Sequence, residues 1–292
     1  MRILIPALFL PMILALPWPQ LQEWLRRALI RRPESVFLVP AALTLLFCGI
    51  AAGMQSLSAP LAGLMLAYTF APTACLYLAR DYLAPVWTDF LAILLLWLPL
   101  EFSAGARWVG KPAQGVLHMA AYGVSVTLGL VLFLLFRRLD GMKYNLPRGG
   151  RDLVNVLAGF ASVAPVLIVL GRLLGFLDPF HVPAHLTPVR LGAQFLIILA
   201  ATALPEEILF RGMIQNCLVQ KWGSGVKTLL LAAVIFGCAH LDNGPGALPN
   251  WRYMILATVA GVAYGKVYEK SSSIFASATL HALVNTIRHS FF

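Results

Sequence analysis

Two adjacent carboxylates and an arginine, Glu206, Glu207 and Arg211, stand between the apolar stretches Leu191 to Leu204 and Met213 to Leu218. In a chain with 60% hydrophobic and 12% charged residues, ionisable groups in such surroundings are costly and mark a functional site. On a helix opening near Pro205, Glu207 and Arg211 are four apart and share a face, while Glu206 points about 100° away. Arg211 is then placed to hold one carboxylate ionised and fixed, leaving the other freer to meet water or substrate. His240 closes another apolar run, with Phe236 four residues before it on the same helical face. His281 and Asn285, also four apart, sit in a third. Such a set can hydrolyse: a carboxylate and an imidazole hold and deprotonate water, and His and Asn donors stabilise a developing oxyanion. Water-poor surroundings strengthen those hydrogen bonds. A Zn²⁺ ion held by His240, His281 and a Glu is the rival on the same residues, since His₂Glu is a catalytic ligand set. No HExxH occurs, however, and Arg211 would place a cation beside the metal.

The elements that must position these groups are helices. A mean hydropathy of +0.80 and apolar runs of about 15 to 24 residues define a polytopic, all-α membrane protein of about 8–10 transmembrane helices. Early spans are predicted at Val36 to Ala52, Leu61 to Leu78, Val86 to Leu100, Val116 to Phe136 and Leu153 to Phe176. Later apolar segments are Leu191 to Leu204, Thr228 to His240, Tyr253 to Val267 and Ile274 to Ile287. A loop from Asp178 to Pro188 marks the composition shift, giving a membrane region 1–188 of unassigned role and a site-bearing region 189–292. His181 and His185 in that loop have i,i+4 spacing, but Pro179, Pro183 and Pro188 make them loop residues rather than a helical metal pair. Ile3 to Leu16 reads as a retained first helix over a signal peptide, with no A-x-A-like cleavage site near Ala15.

The net charge of +10 does not indicate a nucleic-acid partner, because the basic residues are dispersed between apolar runs. They report topology instead. Arg26, Arg27, Arg31, Arg32, Arg80, Arg137, Arg138, Lys143, Arg148 and Arg151 fall on one side and Arg107 and Lys111 on the other, which makes the loop 137–152 cytoplasmic. Asp89 and Glu101, near the ends of one span, read as solvated carboxylates. Cys48, Cys75, Cys217 and Cys238 form no CxxC pair and read as buried thiols.

At its three polar motifs the chain resembles the CAAX-prenyl-endopeptidase and bacteriocin-processing family, also called Abi, of intramembrane glutamic proteases. The motifs are EExxxR at Glu206 to Arg211, FxxxH at Phe236 to His240 and HxxxN at His281 to Asn285. Together, in this order, they are specific, and the resemblance covers about Val189 to His289. It implies that Glu206 and His240 activate water, that His281 and Asn285 form an oxyanion hole, and that Glu207 and Arg211 support them. It also implies a mechanism with no metal and no cofactor, in a multi-pass protein of the cell membrane if the source is bacterial. The implied partners are membrane lipids and a protein or peptide tail, prenylated or a C-terminal sorting tail. A non-catalytic scaffold or immunity protein is the alternative from another class. A transporter is disfavoured by the lack of a visible inverted repeat.

One geometric conflict follows. If every late segment were a simple span, Glu206 and His240 would lie at opposite membrane faces. The expected remedy is a break at Pro205, with Glu206 opening a new helix at membrane depth.

Overall fold

Apolar runs punctuated by Pro, Gly and charge become helices close to the expected limits. The structure, a computed structural model, describes residues 4–244 and 249–292, is 77% helical, and has no strand among the described residues. The chain divides by packing into two compact units, up to Gly141 and from Met142 onward. The division thus falls ahead of the composition shift at Pro188.

The first unit contains α1 (Leu4–Ala15), α2 (Pro19–Arg31), α3 (Leu38–Gly53), α4 (Ala59–Leu78), α5 (Trp87–Glu101) and α6 (Lys111–Phe136). The predicted first segment began at Ile3, which lies outside the described residues; its remainder is helical and meets α2 at a 92° bend before Pro19. Ser58 caps α4, its Oγ accepting from the Leu61 N–H at 3.4 Å, and Pro60 follows inside the first turn, where a missing donor costs nothing. α1 packs on α6, where the Phe9 ring occupies the space a Cβ at Gly123 would fill.

One of the two carboxylates at the ends of α5 differs from expectation. Asp89 is fully buried, not solvated: Arg137 Nε donates to its Oδ1 at 2.8 Å, and its Oδ2 caps the start of α5 by accepting from the Val86 N–H at 2.7 Å. Arg137 also donates to the carbonyls of Tyr82 and Ala84. Glu101 accepts from the Trp97 indole at 2.8 Å. Burial of Asp89 is therefore compensated by a guanidinium and a backbone donor, a combination that its position near a span end did not reveal.

The second unit contains α7 (Gly150–Leu173), α8 (Pro188–Trp222), α9 (Val226–Cys238), α10 (Trp251–Lys270) and α11 (Ile274–Phe291). The expected break at Pro205 does not occur. α8 is a single helix of 35 residues that widens into π turns at Leu199–Ala203 and Ile208–Gln215. The wide turn just upstream accommodates the proline ring and the amide hydrogen that Pro205 lacks. His181 and His185 lie in irregular chain before α8, as their prolines predict.

Thr187, Asn250 and Ser273 cap α8, α10 and α11 by accepting from the N–H groups of Arg190, Tyr253 and Phe275. The turn between α10 and α11 is clasped by residues flanking the start of α7. Asp152 accepts from Ser272 N at 2.8 Å and Ser272 Oγ at 2.6 Å, and the Lys143 ammonium donates to the carbonyls of Tyr268, Glu269 and Ser271. Lys143, with φ of 51°, thus closes the C-terminal end of α10, where a cation is favoured. Burial holds its ammonium below the usual lysine range, against the opposing pull of Glu269 and Asp152. Arg26 likewise donates to the Leu134 carbonyl near the end of α6. Arg80 donates to the Tyr77 carbonyl at 2.7 Å, so four of the ten basic residues counted for topology, Arg26, Arg80, Arg137 and Lys143, are tied to backbone carbonyls.

Among the described residues five helices are long and apolar enough to cross a membrane, α3 (counted with the 3₁₀ turn Pro33–Phe37 that leads into it), α4, α6, α7 and α8, or six if the bent α1–α2 pair is one span. α9 is apolar but has only 13 residues. Of the four cysteines, all free, Cys217 is buried, Cys48 and Cys75 are half-buried, and Cys238 is exposed, contrary to the expectation of four buried thiols. Cys238 ends α9 on the face turned away from Phe236.

Candidate active site

The conflict over depth disappears once α8 runs past the glutamates. Glu206 lies 16 residues before Trp222, about 24 Å along α8, and His240 lies 14 residues after Val226, about 21 Å along the return path. A three-residue link at 223–225 joins the two helices, so this short connection brings Glu206 and His240 to similar depth.

Glycine and alanine on α10 allow its neighbours to come close. A Cβ at Gly237 of α9 would sit 2.7 Å from the Met254 carbonyl oxygen, and one at Gly265 would sit 2.6 Å from Gln215 Oε1. Small residues at such crossings let backbones approach, the usual means of packing helices in lipid. Across this contact the π-helical part of α8 places Arg211 and Gln215, four apart, beside the carbonyls of Gly261 and Gly265, each at 3.4 Å.

Arg211 and Glu207 are both buried, with Arg211 Nε 3.3 Å from Glu207 Oε2. The guanidinium also lies over the Phe236 ring at 4.4 Å. Glu207 Oε1 is 3.1 Å from His281 Nδ1, and His281 Nε2 is 3.8 Å from Glu206 Oε2. His281 therefore stands between the two adjacent carboxylates. It stacks on Tyr264, with centroids 4.6 Å apart and planes at 18°, and meets the edge of Phe236.

His240 Nδ1 is 2.8 Å from the Phe236 carbonyl oxygen. A carbonyl only accepts, so Nδ1 carries the proton and the neutral ring keeps its lone pair on Nε2. The ring is buried between Phe236 and Tyr253, at centroid distances of 4.7 and 4.6 Å. His240, His281 and Asn285 line one cavity of about 70 Å³, large enough for water. Glu206 does not line it but is tied to it through His281.

The predicted residues thus form a connected arrangement: Arg211 to Glu207 to His281, Glu206 beside His281, and His240 and Asn285 on the shared cavity. No group of three His, Cys, Asp or Glu side chains placed to hold a metal ion exists among the described residues. The two His281 nitrogens face different carboxylates instead of sharing a ligand point with His240.

Tyr253, Tyr264 and Arg288 were not singled out in the sequence. The two tyrosines are eleven apart, about three helical turns, and Ala257 and Ala260 complete the same stripe. That alternation of aromatic and small residues on one face was the legible signal. Arg288 lies three residues past Asn285 and was hidden among terminal polar residues.

Residues 188–287 match the family model described as type II CAAX prenyl endopeptidase Rce1-like. No curated protein and no solved structure matches the chain. The matched segment comprises α8, α9, α10 and most of α11, the four helices that carry the arrangement just described. With its several apolar helices the chain is an integral, multi-pass membrane protein, and its segment 188–287 is similar to the Rce1-like type II CAAX prenyl endopeptidases.

Proposed function

We propose that the chain is an intramembrane glutamic endopeptidase that hydrolyses a peptide bond in the tail of a membrane-associated or lipidated protein, without a metal. One observation carries this reading: His281 is fixed between Glu206 and the Glu207–Arg211 pair, while His240 and Asn285 face the same cavity. A role confined to helix packing does not require His240 and Asn285 to line a water-sized space beside His281.

In the proposed reaction a water lies between Glu206 and His240 Nε2. Glu206 takes one proton as the water oxygen attacks the scissile carbonyl, and His240 orients the water by accepting its other hydrogen. The C=O π bond opens and negative charge moves to the carbonyl oxygen. The Asn285 amide and His281 Nε2–H donate to that oxyanion. Because His281 Nδ1–H is already given to Glu207, donation from Nε2 requires the imidazolium form. The charges of Glu206 and Glu207 then balance those of Arg211 and His281. On collapse the C–N bond breaks, and the proton held by Glu206 passes to the leaving amine.

By the positive-inside reading, the loop 137–152 faces the cytoplasm of a cell membrane. The six basic residues whose side chains make none of these carbonyl contacts, Arg27, Arg31, Arg32, Arg138, Arg148 and Arg151, keep that sense. Glu206→Gln tests the function: tail cleavage should fall by at least about 10³-fold at unchanged protein level. Cleavage at the wild-type rate would refute the assignment. Equal activity before and after treatment with a strong chelator is expected, and loss that Zn²⁺ restores would favour the metal reading.

A further inference from the structure

Arg288 is a cation without an assigned task in the hydrolytic arrangement. It follows Asn285 by three residues and His281 by seven, so the three side chains share a face of α11, and all three line the cavity that contains His240. Its guanidinium lies over the rings of Phe176 and Tyr253, 4.7 and 4.6 Å from their centroids. No ion pair joins it to a carboxylate among the described residues. Glu206 and Glu207, the acids of this site, are engaged with His281 and Arg211.

We propose that Arg288 anchors the free C-terminal carboxylate of the peptide tail, so that the enzyme selects chain ends over internal segments. The proposal rests on the hydrolytic reading above for its cleavage arm. A peptide terminus supplies the planar anion that matches a guanidinium fork, and the aromatic rings hold that fork in place. An internal segment brings a neutral amide to the same point and leaves the cation unpaired. Seven residues along α11 separate Arg288 from His281 by about 10 Å, a distance that a few extended residues span. The carboxylate would then fix the register of the bond presented to His281 and Asn285.

The test uses two tail peptides identical except for a C-terminal acid or carboxamide, with the full chain in phosphatidylcholine nanodiscs so that no lipid supplies an excess anion. Wild-type kcat/KM should favour the acid by about 10- to 100-fold, the value of a charge-assisted hydrogen bond. Arg288→Gln should reduce this preference to below about threefold by lowering activity on the acid and leaving the amide nearly unchanged. Arg288→Lys should recover part of it. Binding of both peptides to the Glu206→Gln protein, read by fluorescence anisotropy, gives the same comparison without turnover. Equal handling of acid and amide by the unmutated chain overturns the proposal, as does a preference that survives in Arg288→Gln. Acid-selective binding with no Glu206-dependent cleavage would uphold the Arg288 site and refute the hydrolytic reading instead.

Discussion

Gly237→Ala should slow the site from a residue that has no side chain in it and meets His240 only through the backbone, its carbonyl accepting from the His240 N–H at 2.9 Å. The added Cβ would lie 2.0 Å from Thr258 Oγ1 and 2.7 Å from the Met254 carbonyl oxygen. Thr258 cannot simply rotate away, because its hydroxyl donates to that same carbonyl at 2.8 Å. The carbonyl is backbone, so the shortfall of about 0.7 Å against an ordinary 3.4 Å contact must be met by separating α9 from α10. Phe236 rides on α9 and His240 on the turn directly after it, and Tyr253 and Tyr264 ride on α10. Catalytic groups tolerate about 0.5 Å of displacement, and 1 Å can cost about 10²-fold in rate. We expect cleavage to fall by about 30- to 100-fold, with an overpacking cost of about 1–3 kcal/mol visible as a lowered Tm in detergent. Gly192→Ala on α8 is the matched control, since nothing lies within 4 Å of its added Cβ, and it should keep full activity with equal or higher Tm. Adding Thr258→Ala to Gly237→Ala should restore little, because the carbonyl clash remains. Wild-type rate and Tm in Gly237→Ala would refute the close-crossing argument.

Other consequences concern the buried charges. Glu207→Gln should destabilise the fold by about 3–5 kcal/mol by leaving the Arg211 guanidinium buried without its partner. The double change Glu207→Gln/Arg211→Met should regain part of that Tm without regaining cleavage; additive losses would show that the pair is not coupled. Asp89→Asn should likewise lower Tm, because Arg137 is buried against it; an unchanged melting curve would contradict that contact. In detergent, N-ethylmaleimide should modify exposed Cys238 well before buried Cys217, as followed by mass spectrometry. Equal labelling rates would contradict the assigned packing of α8.

The fold class was legible because lipid leaves a chain few options: long apolar runs with Pro, Gly and charge at their ends read as helices, and most ends fall within a few residues of expectation. Finer features depended on tertiary partners. Asp89 read as solvated because its compensating cation, Arg137, is 48 residues away, and nothing local announces that pairing. Lys143 read as a topology charge because its acceptors are the last carbonyls of a helix more than a hundred residues later. Cys238 read as buried because composition records an apolar run but not which side of a helix faces its neighbours.

The most instructive difference is at Pro205. Proline is a reliable break signal in water, and the carboxylates after it made a new helix start attractive. α8 instead continues and absorbs the proline with a π turn on each side of the glutamates. The wide turns also bring Arg211 and Gln215 to carbonyls on α10 at positions where glycine permits contact. An unbroken helix therefore does what a break was needed to do: it carries Glu206 and Glu207 to the middle of a 35-residue rod, at the depth that the shorter α9 reaches with His240. The motif residues could be named from their types and spacing. Their common depth could not, because it depends on how far α8 continues beyond Arg211, through Gln215, Asn216 and Gln220, whose polarity conceals a helix.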